Sequence, residues 1–138
     1  MIGKAPTGIS YVMAPSRFPR DTVELFHTAR ILGVRSGREH RYTGVWVVVV
    51  EGRVFVRSWT DKPTGWFRAF RKEPLGSVSL GDREIPVRAV HVRSEKLRRA
   101  VSAAYAARYN TKASEKWVRG FAEPTREATT LELVPRSR

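Results

Sequence analysis

The stretch VWVVVVEGRVFVRSW, residues 45–59, decides the fold of this chain. Residues 45–50 are all apolar and mostly valine, and β-branched side chains suit a pleated strand better than a helix. Glu51-Gly52 supplies a two-residue turn, and residues 53–59 return with alternating faces, so the stretch predicts a β-hairpin. Because the first strand has no polar face, both of its sides must be covered, as in a barrel wall with a helix or a second subunit outside.

Periodic segments on either side of this hairpin predict the remaining elements. Asp21 is expected to cap a helix that carries Phe26, Ala29 and Leu32 on one face and ends at Gly33. The whole order predicts an α+β chain built on an antiparallel sheet, most simply a small barrel. The other expected elements are a short helix at 66–72, a hairpin of 77–80 and 83–93, a helix capped by Ser94, a helix at 114–121 and a strand at 128–134.

Length and composition favour one domain. The chain has 138 residues, of which 41% are hydrophobic, and we expect an irregular arm at residues 1–20 before a single domain at residues 21–138. The absence of cysteine excludes disulfides and thiolate chemistry. No apolar run approaches the ~20 residues of a membrane span and no secretory segment is visible at residues 1–20, so we take the cytoplasm as the default compartment.

The net charge of +13 raises the question of a polyanionic partner. Nucleic acid, an anionic membrane surface or a phosphorylated ligand would each suit a strongly basic chain. The alternative is that arginines, which are spread along the chain, only fill solvated surface positions. Charge alone does not decide between these interpretations.

Two clusters combine residue types that can hold an anionic or planar ligand. The first is a glycine-punctuated loop in which Arg35, Arg38 and Arg41 surround Ser36-Gly37, and the alternative is an ordinary basic loop. The second interleaves cations with aromatic side chains, which can hold a planar phosphorylated ring or stack unpaired bases. In the alternative, its tryptophans anchor the core or a subunit interface. Its members are Arg57, Ser58, Trp59, Lys62, Trp66, Phe67 and Arg68.

Several kinds of chemistry lack their usual sequence pattern. His27, His40 and His91 lie on three different predicted elements, so no metal site is expected. The chain has no nucleophile elbow, no phosphate-binding glycine loop and no hydrolase triad order. If the protein is an enzyme, a cofactor must supply its reactivity.

The order of these motifs resembles the flavin-binding split-barrel superfamily, near its deazaflavin-dependent nitroreductase branch. It is still more similar to a small bacterial family of unknown function within that superfamily. The resemblance covers about residues 21–135. The motifs that carry it are VWVVVVEGRVFVRSW at 45–59, WFR at 66–68, AYAARY at 104–109 and TTLELVP at 129–135.

This resemblance implies a six-stranded antiparallel split barrel with flanking helices. It also implies a homodimer that holds FMN or a deazaflavin coenzyme in a groove between subunits. Basic and hydroxyl side chains would hold the phosphate or acidic tail of the cofactor, and tryptophan would stack on its ring. The cofactor-binding residues so expected are Arg35, Ser36, Arg41, Arg57, Ser58, Trp59, Trp66 and Arg68.

Three functional hypotheses follow from these patterns. The first is a low-specificity oxidoreductase that transfers hydride between a flavin-type cofactor and a small organic substrate. The second is a non-catalytic basic module that binds an anionic ligand or single-stranded nucleic acid. The third is a structural dimer in which Trp59 fills the former cofactor site.

Overall fold

The valine-rich hairpin forms where the sequence predicts it, except that its second strand ends at Val56 and residues 57–59, predicted to continue it, belong to the following loop. In the computed structural model, which describes residues 17–29 and 31–136, the strands pair from Val47 with Val56 to Val50 with Arg53. Glu51 and Gly52 both adopt positive φ, of 51° and 76°, as the tight primed turn of a hairpin requires.

Six antiparallel strands close into a barrel in the order β1-β2-β3-β6-β5-β4, which confirms the predicted fold class. Every neighbouring pair is antiparallel, including the pair of β1 and β4 that closes the barrel. The strands are β1 (Ile31–Ser36), β2 (Thr43–Val50), β3 (Arg53–Val56), β4 (Leu75–Leu80), β5 (Arg83–His91) and β6 (Leu131–Pro135). The helices are α1 (Arg20–Thr28), α2 (Trp66–Lys72), α3 (Glu95–Arg108), α4 (Glu115–Phe121) and α5 (Pro124–Glu127), with a 3-10 turn at Lys112–Ser114.

Both faces of β2 are covered, as its lack of a polar face predicts. Val47 faces the barrel interior, whose core also includes Phe26 of α1 and Phe70 of α2. Val48 faces outward and packs with Phe55 and Tyr105 in a second core beneath α3. The burial of apolar side chains on both sides explains why five of the eight residues of this strand are valine.

Ser94 and the short helix at residues 66–72 also follow the sequence prediction. The Ser94 hydroxyl accepts a hydrogen bond from the Leu97 amide at 3.1 Å and so caps α3. No helix among the described residues has the length and the apolar character that crossing a membrane requires.

The predictions for residues 21–33 are wrong in two respects. The helix begins at Arg20 after Pro19, and the Asp21 carboxylate accepts from the adjacent Thr22 amide instead of capping the helix. The helix also ends at Thr28, so Leu32 and Gly33 belong to β1, where Gly33 pairs with both β2 and β4. Hydrogen bonding of β1 to a strand on each side stabilises the extended conformation more than the helical spacing of Phe26, Ala29 and Leu32 favours a helix. An irregular arm was predicted at residues 1–20. Residues 1–16 of this arm lie outside the described residues, residues 17–19 lead into α1, and Arg20 is the first residue of that helix.

Candidate functional site

A cavity of about 510 Å³ lies between the start of β2, the loop after β3, the start of α2 and helix α4. All four tryptophans of the chain line it, although they come from four different parts of the sequence. They are Trp46 of β2, Trp59 of the loop, Trp66 of α2 and Trp117 of α4. Its volume falls within the range that small-molecule sites usually have.

Trp46 is held in place by stacking on one side. Its ring lies parallel to that of Tyr109, at a centroid distance of 4.3 Å and an interplanar angle of 5°. The Tyr109 hydroxyl donates to the Val47 carbonyl at 2.8 Å and accepts from the Val47 amide at 3.1 Å. Tyr109 therefore ties the end of α3 to β2 and fixes this wall of the cavity.

Trp59 is fixed from several directions. The Arg126 guanidinium lies over its ring at 3.6 Å from the centroid, and Arg126 Nε donates to the Trp59 carbonyl at 2.8 Å. Trp117 and Phe121 meet the same ring edge-on, at 5.0 Å and 5.4 Å. Gly120 leaves room for the indole, because a Cβ there would lie 2.2 Å from Trp59 Cη2. Such a wall is pre-organised before any ligand arrives.

Ser58 and Thr129 hold the loop after β3 against the start of β6. The Ser58 amide donates to Thr129 Oγ1, and Thr129 Oγ1 lies equally close to the Ser58 carbonyl, each at 2.9 Å. The Ser58 hydroxyl donates to the Thr60 carbonyl at 2.6 Å and accepts from the Thr60 amide at 3.2 Å. Ser58 therefore shapes the loop that carries Trp59.

Arg57 is a buried cation, with 1% of its surface exposed. Its guanidinium donates to Thr130 Oγ1, Ser102 Oγ and the carbonyl oxygens of Phe121 and Arg98, at 2.7 to 3.0 Å. Four of its five N–H groups are thus used within the protein, and among the described residues no carboxylate lies within ion-pair distance of it. Burial lowers the pKa of this guanidinium, which still remains charged at neutral pH.

The polar lining of the cavity is cationic and hydroxylic. Lys62 is exposed at its rim, and Thr43, Thr60 and Thr64 contribute hydroxyl groups. None of the described residues that line it is a carboxylate. The cavity therefore combines flat apolar walls with a positive rim, which suits a planar ring that carries a negative charge.

The structure brings together four of the eight sequence-predicted site residues. Arg57, Ser58, Trp59 and Trp66 line the cavity, although Arg57 does so as a buried and largely paired group. Trp46 and Trp117 were not among the predicted site residues. Trp46 lies within the quoted hairpin motif, whereas Trp117 lies outside every quoted motif and only its place in the predicted helix at 114–121 was known.

The other four predicted residues lie elsewhere. Arg35 pairs with Glu84 at 3.2 Å on the outer barrel face. The Ser36 hydroxyl donates to the Glu73 carbonyl at 2.6 Å, with the Ala69 carbonyl of α2 at 3.0 Å. Arg41 is exposed in the segment before β2. Arg68 binds Asp61 through two hydrogen bonds, of 2.6 and 3.1 Å, and so ties α2 to the loop that carries Lys62. The Asp61 carboxylate raises the pKa of Arg68.

The fold and the cavity define a class: a six-stranded α+β barrel with a tryptophan-lined site beside one end of its central hairpin. The chain belongs to the family described as "uncharacterized protein conserved in bacteria (DUF2255)", whose model matches residues 26–133. No curated protein matches the chain.

Two solved structures are similar to this fold. One is the protein Atu2129 (unknown function) from Agrobacterium tumefaciens str. C58, with 17% identity and a TM-score of 0.57. The match covers 89% of this chain but only 57% of that protein. The other is the conserved hypothetical protein Rv2991 from Mycobacterium tuberculosis, with 15% identity, a TM-score of 0.58 and coverage of 94% and 86%. At these identities the similarity shows the fold alone.

Proposed function

We propose that the tryptophan-lined cavity binds a flavin-type cofactor, either FMN or a deazaflavin coenzyme, by its planar ring. The observation that carries this proposal is the convergence of all four tryptophans on one cavity of about 510 Å³. A planar polycyclic ring fits such walls because offset-stacked and edge-to-face contacts with indole are favourable. The resemblance of the sequence motifs to the flavin-binding split barrels supports the same ligand.

The roles of individual residues follow from their chemistry. Lys62 is the exposed cation at the rim and would meet the phosphate or acidic tail of the cofactor. The hydroxyls of Thr43 and Thr64 would donate to ring carbonyls or tail oxygens. Arg57 would support the wall through its internal hydrogen bonds, and Arg68 would position the loop of Lys62 through Asp61.

A low-specificity oxidoreductase is the activity that this binding would support. The bound cofactor would supply hydride transfer itself, and the chain would bind and orient the ring. The open side of the cavity at Lys62 and Thr64 would admit a small organic substrate.

Titration of ligand-stripped protein with FMN, riboflavin and the deazaflavin coenzyme tests the proposal. We expect saturable binding, followed by flavin and tryptophan fluorescence, with FMN bound about fivefold more tightly than riboflavin because of Lys62. Lys62→Gln should remove this preference, and Trp66→Leu should weaken both ligands about three- to tenfold. Lys96→Gln, which removes an exposed lysine from α3, is the matched control and should change neither. No saturable binding of any of the three ligands would contradict the proposal.

We also propose that the protein is a homodimer, as the resemblance implies. Val90, on the outer face of β5, is 42% exposed and would be covered by a second copy of the chain. Sedimentation velocity should then give a mass near twice 15.7 kDa, and Val90→Lys should shift it toward the monomer. A wild-type mass of one chain at micromolar concentration would contradict this assignment.

A further inference from the structure

Trp117 stands between three adjoining cavities on one side of the molecule. It lines the tryptophan-lined cavity, a second cavity of about 450 Å³ beside Gly120 and a third of about 310 Å³ beside Tyr109. Its side chain is 44% exposed, which is unusual for an indole. The three cavities therefore meet at one exposed aromatic ring, and we call them together the groove.

Cations line the cavities that meet at this ring. Lys62 is at the rim of the tryptophan-lined cavity, whereas Lys116 and Arg119 line the second cavity together with Arg126. Lys116 Nζ lies 5.3 Å from the centroid of the Trp117 ring. Lys62 and Lys116 are exposed and neither forms an ion pair with any of the described carboxylates, so both remain available to a ligand.

Few carboxylates offset these cations. Among the described residues that line the three cavities, Glu123 is the one carboxylate, and it pairs with Arg126 at 3.4 Å. Arg119 pairs with Glu115 at 3.5 Å, but both side chains remain largely exposed. The groove thus presents a net positive charge to solvent on a chain whose formal charge is +13.

We propose that this groove binds single-stranded nucleic acid, with one base stacked on Trp117 and the flanking phosphates beside Lys62 and Lys116. Alternation of cations with a flat exposed ring is the arrangement that tracks a sugar–phosphate backbone while bases stack without regard to sequence. Unpaired bases are free to stack on this exposed indole, whereas the bases of a duplex are stacked on each other. This inference goes beyond the proposed cofactor and does not depend on it.

Fluorescence anisotropy of labelled oligothymidylate dT12, measured over a series of salt concentrations, tests the inference with full-length protein. We expect log affinity to fall linearly with log salt, because bound phosphates release counterions. Lys62→Gln with Lys116→Gln should reduce the slope by about 1.4, at about 0.7 for each lost phosphate contact. Trp117→Leu should weaken binding about fivefold or more with no change in slope, because stacking is lost and charge is kept.

A matched double variant separates the groove from net charge. Lys96→Gln with Arg99→Gln removes the same charge from exposed positions on α3 and should leave the slope within error of wild type. An equal reduction of the salt slope in the two double variants would overturn the inference, because it would show that overall charge and not the groove determines binding. Binding of duplex DNA or of polyphosphate as tightly as dT12 would also overturn it, because neither ligand offers a free base.

Different results would overturn the cofactor proposal and the nucleic-acid inference. Cofactor binding without any salt-dependent binding of dT12 would overturn the nucleic-acid inference and leave the cofactor proposal standing. Binding of dT12 that responds to Trp117→Leu, without binding of FMN or the deazaflavin coenzyme, would overturn the cofactor proposal and leave the nucleic-acid inference standing.

Discussion

At the residue scale, the candidate site depends on side chains whose role the sequence does not reveal. Arg57 lies beside two predicted ligand-binding residues and was expected to hold a phosphate. In the structure it is buried and donates to four acceptors from α3, α4 and the segment before β6. The identity of those acceptors depends on distant parts of the chain, so no local pattern around Arg57 predicts them.

Arg57→Met should lower the free energy of unfolding by about 3–5 kcal/mol, because two buried and two partly buried acceptors lose their donor. Chemical unfolding followed by tryptophan fluorescence measures this difference. Arg99→Met, at an exposed position on α3, should change stability by less than about 0.5 kcal/mol. A similar small loss for Arg57→Met would contradict the structural role assigned to its hydrogen bonds.

His91 predicts a pH dependence of stability. Its Nε2 lies 2.7 Å from the Ala128 carbonyl, and its buried Nδ1 has no hydrogen-bond partner among the described residues. Burial lowers the pKa of His91 below 6.5, and the nearby cations Arg71, Arg98 and Arg93 act in the same direction. Because the unfolded state then binds the proton more readily, this contribution to stability is full above pH 6.5 and decreases as the pH falls below it.

His91→Gln should make stability less dependent on pH. Between pH 7.5 and pH 5 the wild type should lose more unfolding free energy than the variant, with a difference of at most about 1.4 kcal/mol for each pH unit. Urea unfolding of both proteins at the two pH values gives the comparison, in which all other titrating groups cancel. Equal losses would show that His91 does not titrate differently in the folded state.

At the element scale, short-range signals predicted most of the structure, and long-range pairing decided the rest. The two hairpins, α2 and the Ser94 cap follow from turn residues and periodicity that a few neighbours contain. Strand β1 was missed because Phe26 and Leu32 fit a helical spacing, whereas the strand is stabilised by pairing with β2 and β4. The tryptophan-lined cavity is a similar case, since one of its walls comes from α4, more than 50 residues after the segments that form the others.

Because α4 packs against the loop after β3 at Gly120, we expect the effect of Gly120→Ala on stability to depend on Trp59. Gly120→Ala should destabilise the protein by about 1–3 kcal/mol, because the new Cβ would meet Trp59 Cη2 at 2.2 Å. In a Trp59→Leu background the same change should instead be neutral or stabilising by up to about 1 kcal/mol, since alanine favours a helix over glycine. A double-mutant cycle by thermal unfolding measures this change of sign. Destabilisation of equal size in both backgrounds would contradict the contact between Gly120 and Trp59.

At the scale of the whole molecule, the barrel determines where the cavity lies, whereas the net charge bears on which ligands the surface can attract. The barrel places the ends of β2 and β3, α2 and α4 around one cavity, and the two similar solved structures share this fold. The charge of +13 includes Arg57, which is buried, and Arg53, which pairs with Glu132 at 2.8 Å, so part of it stabilises the fold. Lys62 and Lys116 are cations that a partner can reach.

The binding of a planar cofactor among the four tryptophans is the central claim, and the indole N–H signals in a ¹H–¹⁵N correlation spectrum test it most directly. Each tryptophan contributes one such signal, and all four rings line the same cavity. Addition of FMN or the deazaflavin coenzyme should shift all four signals along one saturable curve, whereas indole signals in Lys62→Gln should need a higher concentration of FMN to reach saturation. A titration that leaves the four signals in place, or that moves the exposed Trp117 alone, would contradict the claim.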